Sequence, residues 1–416
     1  MGQTIVEKII QAHTGDEVSP GKIVWMDLEV RSARDFGGPN VVKNFEAEYG
    51  RAPVEDPART FFTFDLCVPA CSLRYADNQQ ICREFARRQG IRVFDVDQGI
   101  GSHVLIEAGL AHPGATVVGT DSHLNILGAV GCFGQGMGDV DITFAFKTGR
   151  SWFQVPETLK VVLKGNAGAA SAKDLTLFLL RELGTKQAAL RAVEFYGEPV
   201  RGLSLSGRIT LCSMVTEMAG IIGFIPEWND RAVGEIESLS GHPFSHPQAD
   251  PDAGYAEVLE LETGDIPALA AVPHLPTNVK DVRDLKDVAI DTGFIGSCTN
   301  GRFEDLQAAG RILKGCRIRD GVTLKVVPAT RLVYSEMLES GLLQDLFAAG
   351  AVVSNPGCGG CAEGHIGLTG RNEVQISTGN RNFEGKQGKG RTYLAGPEVV
   401  AVSCLTGRIT SPEDFP

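Results

Sequence analysis

The sequence lacks the signatures of several large protein classes. No run of about 18 apolar residues occurs anywhere in its 416 residues, so no hydrophobic helix long enough to span a bilayer is expected. Residues 1–12 mix polar and apolar side chains, with no cationic start followed by an apolar centre, and therefore do not read as a secretory leader. A cytoplasmic protein with no membrane role is the expectation. No basic stripe stands out, and the net charge of −12 is spread along the chain, so nucleic acid is not expected as a partner. Gly-x-Ser-x-Gly is absent, which argues against a serine-hydrolase elbow. Gly134-Gln135-Gly136-Met137-Gly138 has the wrong spacing for a dinucleotide fingerprint; the glycine-dense run 128–138 is expected instead to pack a helix closely against its neighbours.

What remains is an ordinary globular composition, 43% hydrophobic and 22% charged, in a chain long enough for two or three domains. Its 10 cysteines read as thiols and metal ligands rather than as a disulfide framework. Strands are expected at 23–28, 61–68, 91–96 and 116–119, with helices at 39–49 and 78–89. The third and fourth of these strands lead into Gly101-Ser102-His103 and Thr120-Asp121-Ser122-His123. In α/β folds ligands bind at such carboxyl ends. Pro156 opens a strand pair running to Gly165, followed by a helix at 172–183, and a boundary is placed near Val155. The turn-rich segment 241–254 is a second boundary; Pro243 and Pro247 there prevent a helix from aligning His242 with His246. The expected units are residues 1–155, 156–254 and 255–416.

The last third is the most regular. Strands at 289–295, 324–327, 351–354 and 374–377, with helices at 303–313 and 332–347, form successive βα units of a parallel sheet. Three of the strands end in cysteines or polar turns: Cys298, then Cys358 with Cys361, then Asn380-Arg381-Asn382. These are expected to converge on one rim. Cys298 would lie at the start of helix 303–313, with Thr299 or Asn300 as cap, where a thiolate is favoured as ligand or nucleophile. Structural zinc and electron-transfer clusters usually close their shell with four protein ligands, so three cysteines point to a metal group with one position left for substrate. Cys67, Cys71, Cys82, Cys132, Cys212, Cys316 and Cys404 read as core residues. Asp121 and His123 on one loop suit an acid/base histidine oriented by a carboxylate, and Arg381 suits bidentate binding of a substrate carboxylate.

At these residues the chain resembles the aconitase superfamily, and within it the large subunits of 3-isopropylmalate dehydratase and homoaconitase. Gly-Thr-Asp-Ser-His at 119–123, Gly-Ser-Cys-Thr-Asn at 296–300, Cys-Gly-Gly-Cys at 358–361 and Asn-Arg-Asn-Phe-Glu-Gly at 380–385 occur in order, and the similarity runs over nearly the whole length. The resemblance implies an α/β fold of three α/β/α domains packed around a [4Fe-4S] cluster. Cys298, Cys358 and Cys361 would be its ligands, with one iron not bound by protein. It implies that His103 pairs with Asp121 and His123 with Glu217, each carboxylate favouring the protonated imidazole, and that Asn380 and Arg381 meet a small di- or tricarboxylate. The family's fourth, swivelling domain, which supplies the catalytic serine, is not expected in this chain, so a separate small subunit is the implied partner.

Three departures accompany the resemblance. Asp65-Leu66 stands where the family has an Asp-His pair, leaving Asp65 in the site without the usual general acid. Lys386 replaces a second arginine, keeping charge but losing the planar fork, and Ser213 replaces an asparagine. The implied activity is a hydro-lyase that converts 2-isopropylmalate to 3-isopropylmalate in leucine synthesis. Homocitrate/homoaconitate and dimethylmalate are the alternative substrates, and a cluster-bearing sensor that has lost catalysis is the alternative of another class.

Overall fold

Short apolar strands alternating with amphipathic helices build three largely parallel sheets and one antiparallel strand pair. A computed structural model describes residues 2–241, 243–361 and 365–415; His242 lies outside the described residues. The first sheet runs Arg92–Phe94, Thr60–Thr63, Val30–Arg34, Thr116–Gly119, Phe133–Gly136 across its width, every pair parallel. All five carboxyl ends therefore emerge on one edge. Its inner strands are buried along most of their length, each large apolar side chain contributing roughly 1.5–3 kcal/mol. The second sheet has four parallel strands, with Thr158–Lys164 and Ala192–Tyr196 at its centre. The third has seven: Arg391–Ala395, Val374–Ser377, Thr292–Ile295, Thr323–Val326 and Val352–Val353 are parallel, and two antiparallel strands, Leu269–Ala271 and Val279–Asp281, extend one side.

Several elements differ from the sequence reading for identifiable reasons. The expected helix 332–347 is two, Arg331–Glu339 and Leu342–Ala349, because Gly341 between them takes a left-handed φ of 77°. The expected strand pair 156–165 is the single strand Thr158–Lys164, whose neighbours come from elsewhere in the chain. A strand not expected, Arg150–Gln154, pairs antiparallel with Ile23–Asp27. The glycine-dense run holds a 3-10 helix, Leu124–Val130, followed by the strand Phe133–Gly136 rather than a continuous helix. Its glycines do serve close approach: a Cβ on Gly136 would stand 2.2 Å from Asp121 O. Cys71 is exposed, not core, with its Sγ 3.5 Å from that of buried Cys67.

The first and third sheets meet at a short backbone seam. Ile100 N donates to Ala329 O at 2.8 Å, Arg331 N to Gln98 O at 3.0 Å, and Ala329 N to Gly301 O at 2.7 Å. Ala329 thus ties the segment before His103 to the turn holding Cys298. Only glycine fits at 99, where φ is 105° and a Cβ would stand 2.3 Å from Ala329 O.

Candidate active site

Four adjacent strand ends of the first sheet supply the polar groups. Val30–Arg34 ends in Arg34 and Asp35, Thr60–Thr63 leads to Asp65, Arg92–Phe94 to His103, and Thr116–Gly119 to Asp121 and His123. Arg34, which the sequence reading did not single out, organises them. Its Nε donates to Asp65 Oδ1 at 2.7 Å and its Nη1 to Asp121 Oδ1 at 2.9 Å. Asp121 also accepts from His123 N at 3.0 Å. Burial alone would raise the Asp121 carboxyl, but Arg34 and the His123 imidazole outweigh it and hold it below the usual carboxylate range. Burial raises Asp65 to about 7 in spite of Arg34.

The two histidines have different partners. His123 Nε2 donates to Glu217 Oε1 at 3.0 Å, and the same oxygen accepts from Arg381 Nε at 2.8 Å. His103 does not hydrogen-bond Asp121. Its Nε2 donates to Cys298 O at 2.9 Å, which leaves Nδ1 as a buried acceptor without a partner among the described residues. Burial and the cation of Arg302 depress His103 to about 3, so its neutral form is favoured, opposite to the protonated form implied by the resemblance. The reason is geometric: Arg34 takes the carboxylate that was expected to face this imidazole.

The third sheet's rim carries the thiols. Strand Thr292–Ile295 passes through Gly296, φ 152°, and Ser297, φ 71°, into a one-turn helix, Ser297–Asn300, that contains Cys298. Helix Phe303–Leu313 starts later, with Arg302 at its cap, so Cys298 is not at that helix's N-terminus. Burial pushes the Cys298 and Cys358 thiols well up, against the expected thiolate. Asn380 joins two of the thiols, its Nδ2 donating to Cys298 Sγ at 3.4 Å and its Oδ1 lying 3.6 Å from Cys361 Sγ. Cys358 Sγ accepts from Arg34 Nη2 at 2.8 Å. Thr378 Oγ1 accepts from Gly296 N at 2.9 Å, and buried Lys173 donates to Thr378 O and Gly379 O at 2.9 and 2.8 Å, bracing the turn that presents Asn380 and Arg381. Burial brings Lys173 down to about 7.

The three thiols thus lie on one rim, two beside Asn380 and one beside Arg34, and are the kind of sulfur donors that iron-sulfur groups take. No cluster of three His, Cys, Asp or Glu side chains among the described residues closes on a single point as ligands of one ion do. Three buried polar atoms on these segments have no partner among the described residues: Asn300 Oδ1, Asn382 Oδ1 and Ser102 Oγ, close in the chain to Cys298, Arg381 and His103. Such atoms are costly to leave unsatisfied. Ser213 is fully buried, donating to Thr210 O and bridging to Thr299 Oγ1 beside Cys298. Lys386 is half-buried and its ammonium has no partner among the described residues, whereas Leu66 packs into the apolar core.

Comparison with known proteins identifies the family and the fold. The Aconitase family (aconitate hydratase) model matches residues 7–287 and 277–407. The 3-isopropylmalate dehydratase large subunit 1 of Methanopyrus kandleri is 40% identical, covering 100% of both chains. The probable 3-isopropylmalate dehydratase large subunit of Methanothermobacter thermautotrophicus is 42% identical over 99% of each. Aconitase X of Thermococcus kodakaraensis, in its holo-form, shares the fold with a TM-score of 0.54 at 13% identity, covering 90% of this chain and 89% of that one. With a family model spanning most of its length and relatives matched end to end, the chain belongs to the aconitase family.

Proposed function

We propose that this chain is the large subunit of a hydro-lyase that interconverts 2-isopropylmalate and 3-isopropylmalate through their shared unsaturated intermediate. The reading places the protein in leucine synthesis and in the cytoplasm, a reducing compartment that suits ten cysteines none of which forms a disulfide. Cys298, Cys358 and Cys361 would hold a [4Fe-4S] cluster. When bound, such a cluster supplies a Lewis-acidic iron, free of protein ligands, that polarises the substrate hydroxyl and carboxylate. The remaining work falls to the chain's own groups.

Arg381 grips the substrate. Only its Nε is engaged, by Glu217, so both Nη groups remain free of partners among the described residues and can meet a carboxylate bidentately. His123 is the acid/base group, its Nε2 donating to Glu217, which orients the ring. Asp121 fixes the His123 backbone, and Asn380 orients two ligand sulfurs. A separate small subunit, bearing a swivelling domain, would bring the serine that removes the α-proton.

The observation that carries this reading is Glu217 joining His123 to Arg381 beside a rim of three cysteines. To test it, the cluster is reconstituted anaerobically with the co-encoded small subunit, and the absorbance of the unsaturated intermediate is followed. Turnover of 2-isopropylmalate is expected. Turnover of homocitrate or dimethylmalate instead would reassign the substrate, and none on any of these or citrate, with an intact cluster, would overturn the enzyme reading in favour of a sensor.

A further inference from the structure

Arg34 ends a central strand of the first sheet, and its side chain is 11% exposed. Its nitrogens reach three parts of the site: Nε and Nη2 both lie 2.7 Å from Asp65 Oδ1, Nη1 meets Asp121 Oδ1 at 2.9 Å, and Nη2 also meets Cys358 Sγ at 2.8 Å. Those contacts extend further. Asp65 Oδ2 accepts from Gly101 N at 2.9 Å, at the start of the helix carrying His103, while Asp65 O accepts from Cys358 N at 2.9 Å. Asp121 holds the backbone of His123. One guanidinium therefore links both histidine-bearing segments to a single thiol on the other sheet.

Two roles are conceivable for such a cation, and the donor count separates them. A substrate clamp needs a free fork, which Arg381 has. Arg34 has both of its forks directed at protein, Nε with Nη2 at Asp65 and Nη1 with Nη2 at Asp121 and Cys358, which leaves no bidentate face for a carboxylate. An N–H donor aimed at a ligand sulfur withdraws electron density from it, favours the more reduced state of the metal group, and strengthens its retention. We propose that Arg34 is a positioning residue: through its Nη2–H···Sγ bond to Cys358 it raises the reduction potential of the bound cluster and slows its loss, while locking Asp65 and Asp121 in place. A lysine would keep the charge but could not make three directed contacts from a planar fork.

This inference rests on the cluster reading above, and its test keeps the two apart. Wild type, Arg34→Lys and Arg34→Gln are reconstituted anaerobically and compared by iron content, potentiometric EPR titration and the rate of iron loss to a chelator. All three are expected to take up iron, with the potential falling from wild type through Lys to Gln. Iron loss should quicken roughly 10- to 100-fold in the Gln variant, the range usual for outer-sphere partners of metal ligands. Its kcat should drop by a similar factor with KM changed less than about threefold. A Gln variant with wild-type potential and iron retention would overturn the proposal. So would a tenfold rise in KM at unchanged potential, which would mark a substrate clamp. Wild type that binds no iron would instead sink the cluster reading itself, and this inference with it. If Arg34→Gln does not fold, by its thermal melt, Arg34→Lys alone decides: an unshifted potential there overturns the proposal.

Discussion

The two rims that face each other across the site are built on opposite plans. On the first sheet, Arg34, Asp65, Asp121 and His123 are tied to one another and to nearby backbone by charge-assisted hydrogen bonds, while His103 Nδ1 beside them has no partner among the described residues. The third sheet instead presents thiols, two of them pushed away from ionisation by burial, next to asparagines whose Oδ1 atoms at 300 and 382 have no partner among the described residues. One rim is a network of charges and the other a set of neutral sulfur donors, joined by Arg34 at Cys358. Away from Arg34, proton chemistry and metal retention should therefore be separable by mutation.

The largest separation is expected on the thiol side. Cys298→Ala should abolish both iron uptake and turnover, read as loss of the brown colour and cluster absorbance; retained colour would break the assignment of that rim. Next comes His123→Asn, which should keep wild-type iron content and cut kcat by roughly 10²- to 10⁴-fold, the usual cost of removing a positioned acid or base. If iron is lost as well, the rims are not independent. Arg381→Lys should mainly raise KM, by about 10- to 100-fold, since a bidentate charged hydrogen bond to substrate contributes about 1.5–3 kcal/mol.

The smallest effect calibrates the comparison away from both rims. Glu29 accepts from His13 Nε2 at 2.9 Å and lies 3.5 Å from His112 Nε2. His112 and then His13 lower Glu29 to about 2 from an ordinary 4.5, and Glu29 raises His112, and raises His13 against the effect of its burial, above 6.5. The carboxylate's contribution is present above its unfolded value and fades only as pH falls toward 2. The histidines' contribution is full below 6.5 and disappears as pH rises through their elevated values. Glu29→Gln should thus destabilise the fold more at pH 6 than at pH 8, by no more than about 1 kcal/mol for a partly exposed cluster, read as a lower melting temperature, with iron content and kcat unchanged.

Much of this site was legible in the sequence because its third-sheet half is written in local signals. Apolar strands ending in small residues and cysteines specify Cys298, Cys358 and Cys361 without knowledge of distant partners, and helices 172–183 and 303–313 carry their own periodicity. The first-sheet half depended on contacts that no local pattern encodes. Val30–Arg34 reads Val-Arg-Ser-Ala-Arg, too charged to look like a central buried strand, yet Arg31 is neutralised by Glu55 and Arg34 by two aspartates. Because that strand was not foreseen, neither was the cation at its end, and Asp121 was assigned to the wrong partner. Helix 332–347 failed for a smaller reason, a single glycine whose backbone angle interrupts an otherwise continuous apolar face.

The seam at Ala329 gives the molecule a fixed gauge. Because this one residue accepts from Ile100 N and donates to Gly301 O, the interval between the histidine of one sheet and the cysteine of the other is cut by main-chain hydrogen bonds, which side-chain substitutions elsewhere leave alone. Gly99, pressed against Ala329 O, is the point where that gauge can be reset. A methyl group there would act as a shim, pushing the His103 segment away from the turn that holds Cys298 without altering any side chain of the site.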